Sequence, residues 1–213
     1  MTYEPTYRSE KMVKVLLIGA ALATASLAGC AGLSADVHTA ARANAAPALP
    51  RESTYTITRI ASQEASADHQ RFEALVRDEL ARHGFADAPD KAAHYLLSIA
   101  YATRPATVSV STPDCAPGDC AHQAETPFSL FGSRVYQHSL TLRFFDHASG
   151  EERYKVSAIT NDRDADPLHA MPTLVKSALA KLPFDAPSDW RVTLRTDKTG
   201  SVPEVVSVKP LQP

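Results

Sequence analysis

The chain has few of the residues that mark specialised protein classes. Its 213 residues include only three cysteines and one tryptophan, which excludes a small scaffold held together by many disulfides. Its formal net charge of −2 provides no basic field, so we expect no nucleic-acid partner. The chain as a whole is 44% hydrophobic and 22% charged, which is an ordinary composition for a globular protein. We therefore predict one folded domain with tails.

The segment 1–29 has the layout of a bacterial export signal. Arg8, Lys11 and Lys14 precede an apolar run over 15–27, which is too short to cross a bilayer as a permanent helix. Both Met1 and Met12 are candidate start residues, and a start at Met12 gives a more typical signal length. We predict that this segment is removed during export.

The end of the signal, Leu27-Ala28-Gly29-Cys30, resembles the lipobox of bacterial lipoproteins. The resemblance implies that Cys30 receives a diacylglyceryl thioether, is released by cleavage after Gly29, and is then N-acylated. Several acyl chains together hold a protein on a membrane almost permanently. The alternative is an ordinary cleaved signal that ends in a chance cysteine.

By resemblance to enterobacterial sorting, the absence of Asp directly after Cys30 favours the outer membrane, with the domain facing the periplasm. The membrane is then the partner of the lipid anchor. Residues 30–52 are rich in Ala and Pro, and we interpret them as a tether with a reach of about 25 Å. We assign 53–185 to an α+β domain and 186–213 to a C-terminal β-hairpin extension.

Hydrophobic periodicity predicts the elements of the domain. Apolar residues recur at helical spacing from Phe72 to Leu80, and they alternate from Leu140 to Phe144 as in a strand with one buried face. The predicted order is β-α-β-β-β-α-β-β, a mainly antiparallel sheet with two helices packed on one face. The predicted strands are Thr54–Ile60, His94–Ala102, Val135–Phe145, Arg153–Thr160, Trp190–Arg195 and Val205–Val208, with a further short strand at Val108–Val110. The predicted helices run from Ser66 to about His83 and from about Leu168 to Leu182. Ser66 and Asp68 can cap the first of these helices, and Gly84 stands at the C′ position that follows it.

Three segments of the chain, 93–97 (AHYLL), 140–146 (LTLRFFD, followed by SG at 149–150) and 171–175 (MPTLV), resemble Gram-negative lipoproteins that carry the domain of unknown function 4136. The resemblance covers roughly 53–185. The sequence departs from the family pattern at His94, where an acidic residue is common, and at Tyr154, where Trp is common. The resemblance implies an envelope location and an α+β fold, and it supplies no mechanism.

Cys115 and Cys120 flank a Pro-Gly turn. In an oxidising periplasm the simplest interpretation is a local disulfide, which restrains this loop by roughly 2 kcal/mol. A metal site that uses both cysteines with His122 and either Asp114 or Asp119 is an alternative, but it lacks the second distant ligand pair of most zinc sites. A redox-active pair is a further alternative, although the spacing is not C-x-x-C. We predict the disulfide and no metal.

The sequence contains no motif that marks an enzyme. It lacks the H-E-x-x-H, G-x-S-x-G, phosphate-loop and dinucleotide-binding patterns, so we predict neither catalysis nor a cofactor. His94 and His138 lie on neighbouring strands, and we interpret them as a surface or core-edge pair. The acidic run 162–166 lacks the Gly and terminal Glu of a calcium loop. It is typical of the start of a helix that is capped by Asp166 before Pro167.

Two classes of function follow. The first is a lipid-anchored, non-catalytic module that docks on, or scaffolds, another envelope protein. Arg191 and Arg195, which alternate onto one face of the last hairpin, offer it a cationic strip, although an ordinary solvated strand face is the favoured interpretation. The alternative is a periplasmic small-ligand-binding protein or enzyme with a site that no motif marks.

Overall fold

The structure is a computed structural model that describes residues 33–41, 49, 53–106, 134–184, 188–196 and 203–211. The predicted signal segment, Cys30, the short strand at Val108–Val110, and the pair Cys115 and Cys120 lie outside the described residues.

An eight-stranded sheet in the order β3-β2-β4-β5-β6-β1-β7-β8 forms the frame of the domain. The strands are β1 (Leu33–Ala41), β2 (Thr54–Thr58), β3 (Ala86–Asp87), β4 (Tyr95–Pro105), β5 (Tyr136–Asp146), β6 (Glu152–Asp162), β7 (Trp190–Arg195) and β8 (Glu204–Pro210). The helices are α1 (Ala61–Glu64), α2 (Ala67–Arg82) and α3 (Pro167–Leu179), with a 3₁₀ turn at Asp90–Ala92. The predicted α+β class is confirmed.

Residues 33–41, which were predicted to belong to a tether, form strand β1 instead. Its residue Val37 pairs with Ala158 of β6 on one side and with Trp190 of β7 on the other, so this strand lies inside the sheet. Buried Ala35 and Val37 alternate with more exposed Ser34 along the strand. The pattern has the period of a strand, but alanine is weakly hydrophobic and uncommon in strands, which led to the wrong interpretation of residues 33–41.

The sheet is mixed: it is antiparallel except at one edge, where β2 has parallel neighbours. β2 runs parallel to both β3 and β4, whereas β1, β4, β5, β6, β7 and β8 pair antiparallel with one another. The connection from β2 to β4 passes through α2, and a strand–helix–strand connection of that length joins parallel strands. Both β3 and α1 are short and were not predicted.

The core lies on one face of the sheet. Leu142 faces Ile99 on β4 and Val156 on β6, and all three are buried, so these side chains point to the same side. Phe72 and Leu80 from α2, with Leu174 and Leu179 from α3, belong to the same buried cluster. Burial of this continuous apolar layer between sheet and helices stabilises the fold.

Local signals set the helix ends. The Ser66 side chain accepts a hydrogen bond from the His69 backbone N–H, and Asp166 accepts one from Leu168. Gly84 has a φ of 85° just beyond α2, where a residue with a side chain is strained. The predicted caps and the glycine turn are thus confirmed. α3 ends at Leu179, earlier than predicted.

Candidate functional site

His138 is the most deeply buried ionisable side chain on the strands, with no exposed surface. It lies on β5 two residues before Leu140, so the alternation that buries Leu140 also turns His138 towards the helices. The alternation of residues along the strand therefore indicates that His138 is buried, whereas the sequence-based interpretation made it one member of a surface or core-edge pair with His94.

Both ring nitrogens of His138 are engaged. Nε2 lies 2.8 Å from the Asp164 carbonyl oxygen, which only accepts, so Nε2 carries the hydrogen. Nδ1 lies 2.5 Å from the Tyr101 hydroxyl and 3.1 Å from the Thr103 hydroxyl. Tyr101 and Thr103 are themselves 2.6 Å apart. This network ties β4 and β5 to the loop that begins α3.

The acidic run beside this network holds the start of α3. The Asp162 carboxylate accepts from the backbone N–H groups of Arg163 and Asp164 and lies 2.6 Å from His169 Nδ1. Burial raises the pKa of Asp162, but these hydrogen bonds outweigh it and keep the pKa below the ordinary value. The carboxylates are therefore used in turns and a cap, as predicted for a helix start.

A second polar cluster surrounds Glu73 on α2. Its two oxygens each lie 2.5 Å from the guanidinium of Arg59, and Arg77 Nη1 lies 3.1 Å away. Burial raises the pKa of Glu73, yet the two arginines hold it below its ordinary value. Arg77 also binds Asp87 at 2.7 Å. The cluster fastens α2 to the strand edge formed by β2 and β3.

Buried His69 lies next to this cluster, with Nε2 3.4 Å from Glu73 Oε1 and without hydrogen-bond geometry. Burial lowers the pKa of His69, and the carboxylate of Glu73 opposes that shift. The neutral imidazole therefore packs against an ion pair that Arg59 already neutralises.

Glu79 connects the two long helices. Its Oε2 lies 2.6 Å from Arg82 Nη1 on α2 and 2.7 Å from Lys176 Nζ on α3, and Oε1 is 3.6 Å from His83 Nε2. Burial raises the pKa of Glu79, but the hydrogen bonds from His83, Lys176 and Arg82 lower it to about 2. The carboxylate is thus ionised across the physiological range and pairs the helices electrostatically.

Buried aromatic rings from β6 and β7 pack against Phe184. Tyr154 stacks on Phe184 with ring centres 4.2 Å apart, Phe184 lies 6.3 Å from Trp190, and Lys181 sits 4.8 Å above the Trp190 ring. Burial raises the pKa of Tyr154. Such contacts stabilise packing, and they supply no nucleophile or acid–base pair.

The predicted histidine pair does not form. His94 precedes the first residue of β4 and lies 3.0 Å from the Thr54 hydroxyl, whereas His138 pairs with Thr103 near the far end of the same strand. The two histidines are therefore separated by most of the length of β4.

The cationic strip on β7 is largely neutralised. Arg191 makes a two-point contact with Asp36 of β1, at 2.5 and 2.8 Å, and this guanidinium lowers the pKa of Asp36. Arg195 Nη2 lies 3.6 Å from Glu204. The partner of Arg191 was missed because residues 33–41 had been assigned to a tether.

The predicted chemistry of the cysteines lies outside the described residues. In the part that the structure describes, no group of three or more His, Cys, Asp or Glu side chains is placed to hold a metal ion. Within the same residues, no helix is long and apolar enough to cross a membrane.

One end of the sheet is defined by the start of β1, and we call it the Leu33 end. Leu33 pairs with Leu194, and the strand ends beside it in the sheet are Asp162, Tyr136 and Arg195. We call the opposite end of the sheet the Ala41 end. There Ala41 pairs with Tyr154, and the strands also end at Trp190, Asp146 and Pro210.

The large hydrophobic side chains that are exposed among the described residues are Ile60 (64%), Val135 (39%) and Val206 (56%).

Neither a family model nor a curated protein sequence matches the chain. Among solved structures, the chain is similar to a PelC dodecamer from Paraburkholderia phytofirmans, at 14% identity and a TM-score of 0.42, covering 71% of this chain and 99% of that one. A variant of that protein gives 16% identity and a TM-score of 0.41, covering 70% and 97%. A PDZ domain protein from Parabacteroides distasonis gives 12% identity and a TM-score of 0.40, covering 77% of this chain and 40% of that one. These likenesses are distant and assign neither a family nor a function.

Proposed function

We propose that this protein is an outer-membrane lipoprotein, anchored through acylated Cys30, whose α+β domain faces the periplasm as a non-catalytic interaction or scaffolding module. The observation that carries the proposal is the sequence Leu27-Ala28-Gly29-Cys30 at the end of a charged and then apolar N-terminal segment. The resemblance of 53–185 to lipoproteins with the domain of unknown function 4136 supports the same location.

The polar clusters support a non-catalytic role. His138 uses both nitrogens to join strands and a loop, and Glu73 uses both oxygens to bind Arg59. Glu79 is likewise occupied by Arg82 and Lys176. A general acid or base needs a lone pair or proton directed at a substrate, and in these clusters the lone pairs and protons serve the fold.

The test of the anchor is cell fractionation of three forms of the chain in a Gram-negative host. Wild type and a Cys115→Ala variant should be processed and recovered with the outer membrane. Cys30→Ala removes the sulfur that the lipid is attached to, so it should accumulate as unprocessed precursor in the inner membrane. Cys115→Ala is the matched control because it removes a cysteine outside the lipobox. Processed Cys30→Ala in the outer membrane would refute the anchor.

The same wild-type cells test the interaction role when they are crosslinked before extraction. The proposal predicts that one abundant envelope protein co-purifies with the chain, and that it is missing from cells that express Cys30→Ala. Recovery of the chain alone would favour the ligand-binding or catalytic alternative over a docking module.

A further inference from the structure

We propose that the Leu33 end of the sheet rests on the lipid headgroups of the membrane that holds the anchor, with Val135 and Val206 as contacts on either side of it. This inference rests on the proposed function, because it takes Cys30 as the acylated residue. It adds an orientation and a membrane-contact surface to that function.

The first argument is the length of chain available. Only two residues separate Cys30 from Leu33, the first residue of β1. Three Cα–Cα steps of about 3.8 Å give a maximal separation of about 11 Å. The tether predicted from sequence had a reach of about 25 Å, but residues 33–41 are in the sheet, which removes most of it. An acylated Cys30 therefore holds the Leu33 end within headgroup distance of the bilayer.

The second argument is the position of exposed apolar side chains. Val135 directly precedes β5, and Val206 is the third residue of β8, next to the strand start at Glu204. Both belong to the Leu33 end, because Tyr136 pairs with Asp162 and Glu204 with Arg195.

β1 lies midway between these two residues. The order β5-β6-β1-β7-β8 places the strands of Val135 and Val206 two positions away from β1, one on each side, which is about 10 Å. The two valines do not form one continuous patch, but each can enter the headgroup region when the Leu33 end lies against a bilayer.

The third argument is charge. Arg134 is exposed next to Val135, and Arg195 is exposed near Val206 with Glu204 3.6 Å away. Arginine presents a donor fork that suits phosphate, and its aliphatic stem lies well against apolar surface. The acidic run that begins at Asp162 lies at the same end of the sheet. Guanidinium and carboxylate groups are therefore mixed there and match zwitterionic headgroups, which carry a phosphate and an ammonium.

The Ala41 end is out of reach of the same surface. β5 has 11 residues and so spans about 34 Å from Tyr136 to Asp146. The turn after Asp146, which contains exposed Ala148, and the end of β8 at Pro210 therefore point away from the membrane. This end is left accessible to a protein partner.

The test uses the mature acylated chain, purified from cells and reconstituted in vesicles of phosphatidylethanolamine and phosphatidylglycerol. A photoreactive p-benzoylphenylalanine replaces Val135, Val206 or, as the matched control, Ala148. All three positions are exposed, so folding should be retained. After illumination, mass spectrometry counts protein–lipid adducts, and the acyl groups on Cys30 are measured in the same samples.

We expect several-fold more lipid adducts at positions 135 and 206 than at 148. Equal adducts at the three positions, or more at 148, on a protein that carries the acyl groups would overturn the orientation and leave the proposed anchor intact. Protein that lacks acyl groups would instead refute the proposed function, and the orientation with it.

Discussion

At the scale of single residues, buried charge in this domain is paired between elements that are distant in sequence. Buried Glu79 on α2 binds Lys176 on α3, and buried Glu73 on the same helix binds Arg59 after β2. Removing one member of a buried pair leaves the other charge uncompensated, which costs more than the pair contributes. The strongest residue-scale effects should therefore come from single substitutions inside these pairs.

Glu79→Gln should lower stability at neutral pH by roughly 2 kcal/mol, because it removes a carboxylate whose pKa falls from an ordinary 4.5 to about 2. A depressed pKa stabilises the folded state above the unfolded pKa, and that stabilisation is lost as the pH falls from about 4.5 towards 2. Urea unfolding at pH 7 and pH 3, followed by the fluorescence of the single tryptophan, Trp190, measures the difference.

Asp78→Asn is the matched control, since Asp78 is the exposed neighbour of Glu79 on the same helix. It should change stability by less than about 0.5 kcal/mol. A stability difference between wild type and Glu79→Gln that stays constant from pH 7 to pH 3 would contradict the lowered pKa of Glu79 and the contacts that cause it.

Sequence patterns predict residues whose role is local. Ser66 and Asp166 were predicted as caps and Gly84 as a turn residue because each acts on backbone within a few positions. The bonds of His138 depend on strand register and on a loop 26 residues away, neither of which periodicity provides. The cysteine disulfide stays a prediction.

At the scale of elements, β1 is the piece that joins the last hairpin to the rest of the sheet. It pairs with β6 on one side and β7 on the other, so the hairpin of β7 and β8 reaches the main sheet through it. Sequence reasoning found both strands of that hairpin but not the strand that holds them. A strand in which alanine supplies much of the apolar surface carries little hydrophobic signal, and long-range pairing decides its structure.

Val37→Ala tests this element. Val37 has no exposed surface and lies between β6 and β7, so the loss of two methyl groups should cost roughly 1–3 kcal/mol of unfolding free energy. Ser34→Ala, on the opposite exposed face of the same strand, should change it by less than about 0.5 kcal/mol. Thermal unfolding of both variants gives the comparison; equal stability of the two would indicate that residues 33–41 act as a tether after all.

The direction of β2 relative to its neighbours is the second feature that the sequence did not predict. Its residues were assigned to a strand correctly, but alternation along a chain does not report the direction of the neighbouring strand. The direction follows from the connection through α2, whose length permits a crossover.

At the scale of the whole molecule, only two residues separate the proposed lipidation site Cys30 from the first strand of the sheet. In the proposed function Cys30 is the site of attachment, and the start of β1 at Leu33 would make that attachment short. The proposed module is therefore held close to the membrane at one end, with its Ala41 end directed to the periplasm. The location was predicted from sequence; the orientation required the topology, because it depends on which strand follows Cys30.

The measurement that tests the central claim most directly is the mass of the N-terminal peptide of wild-type protein extracted from membranes. The account predicts a peptide that begins at Cys30 and carries the added mass of a diacylglyceryl group and an N-linked acyl chain. An unmodified Cys30, in a peptide that begins at any other residue, would contradict the lipid anchor and everything that the orientation derives from it.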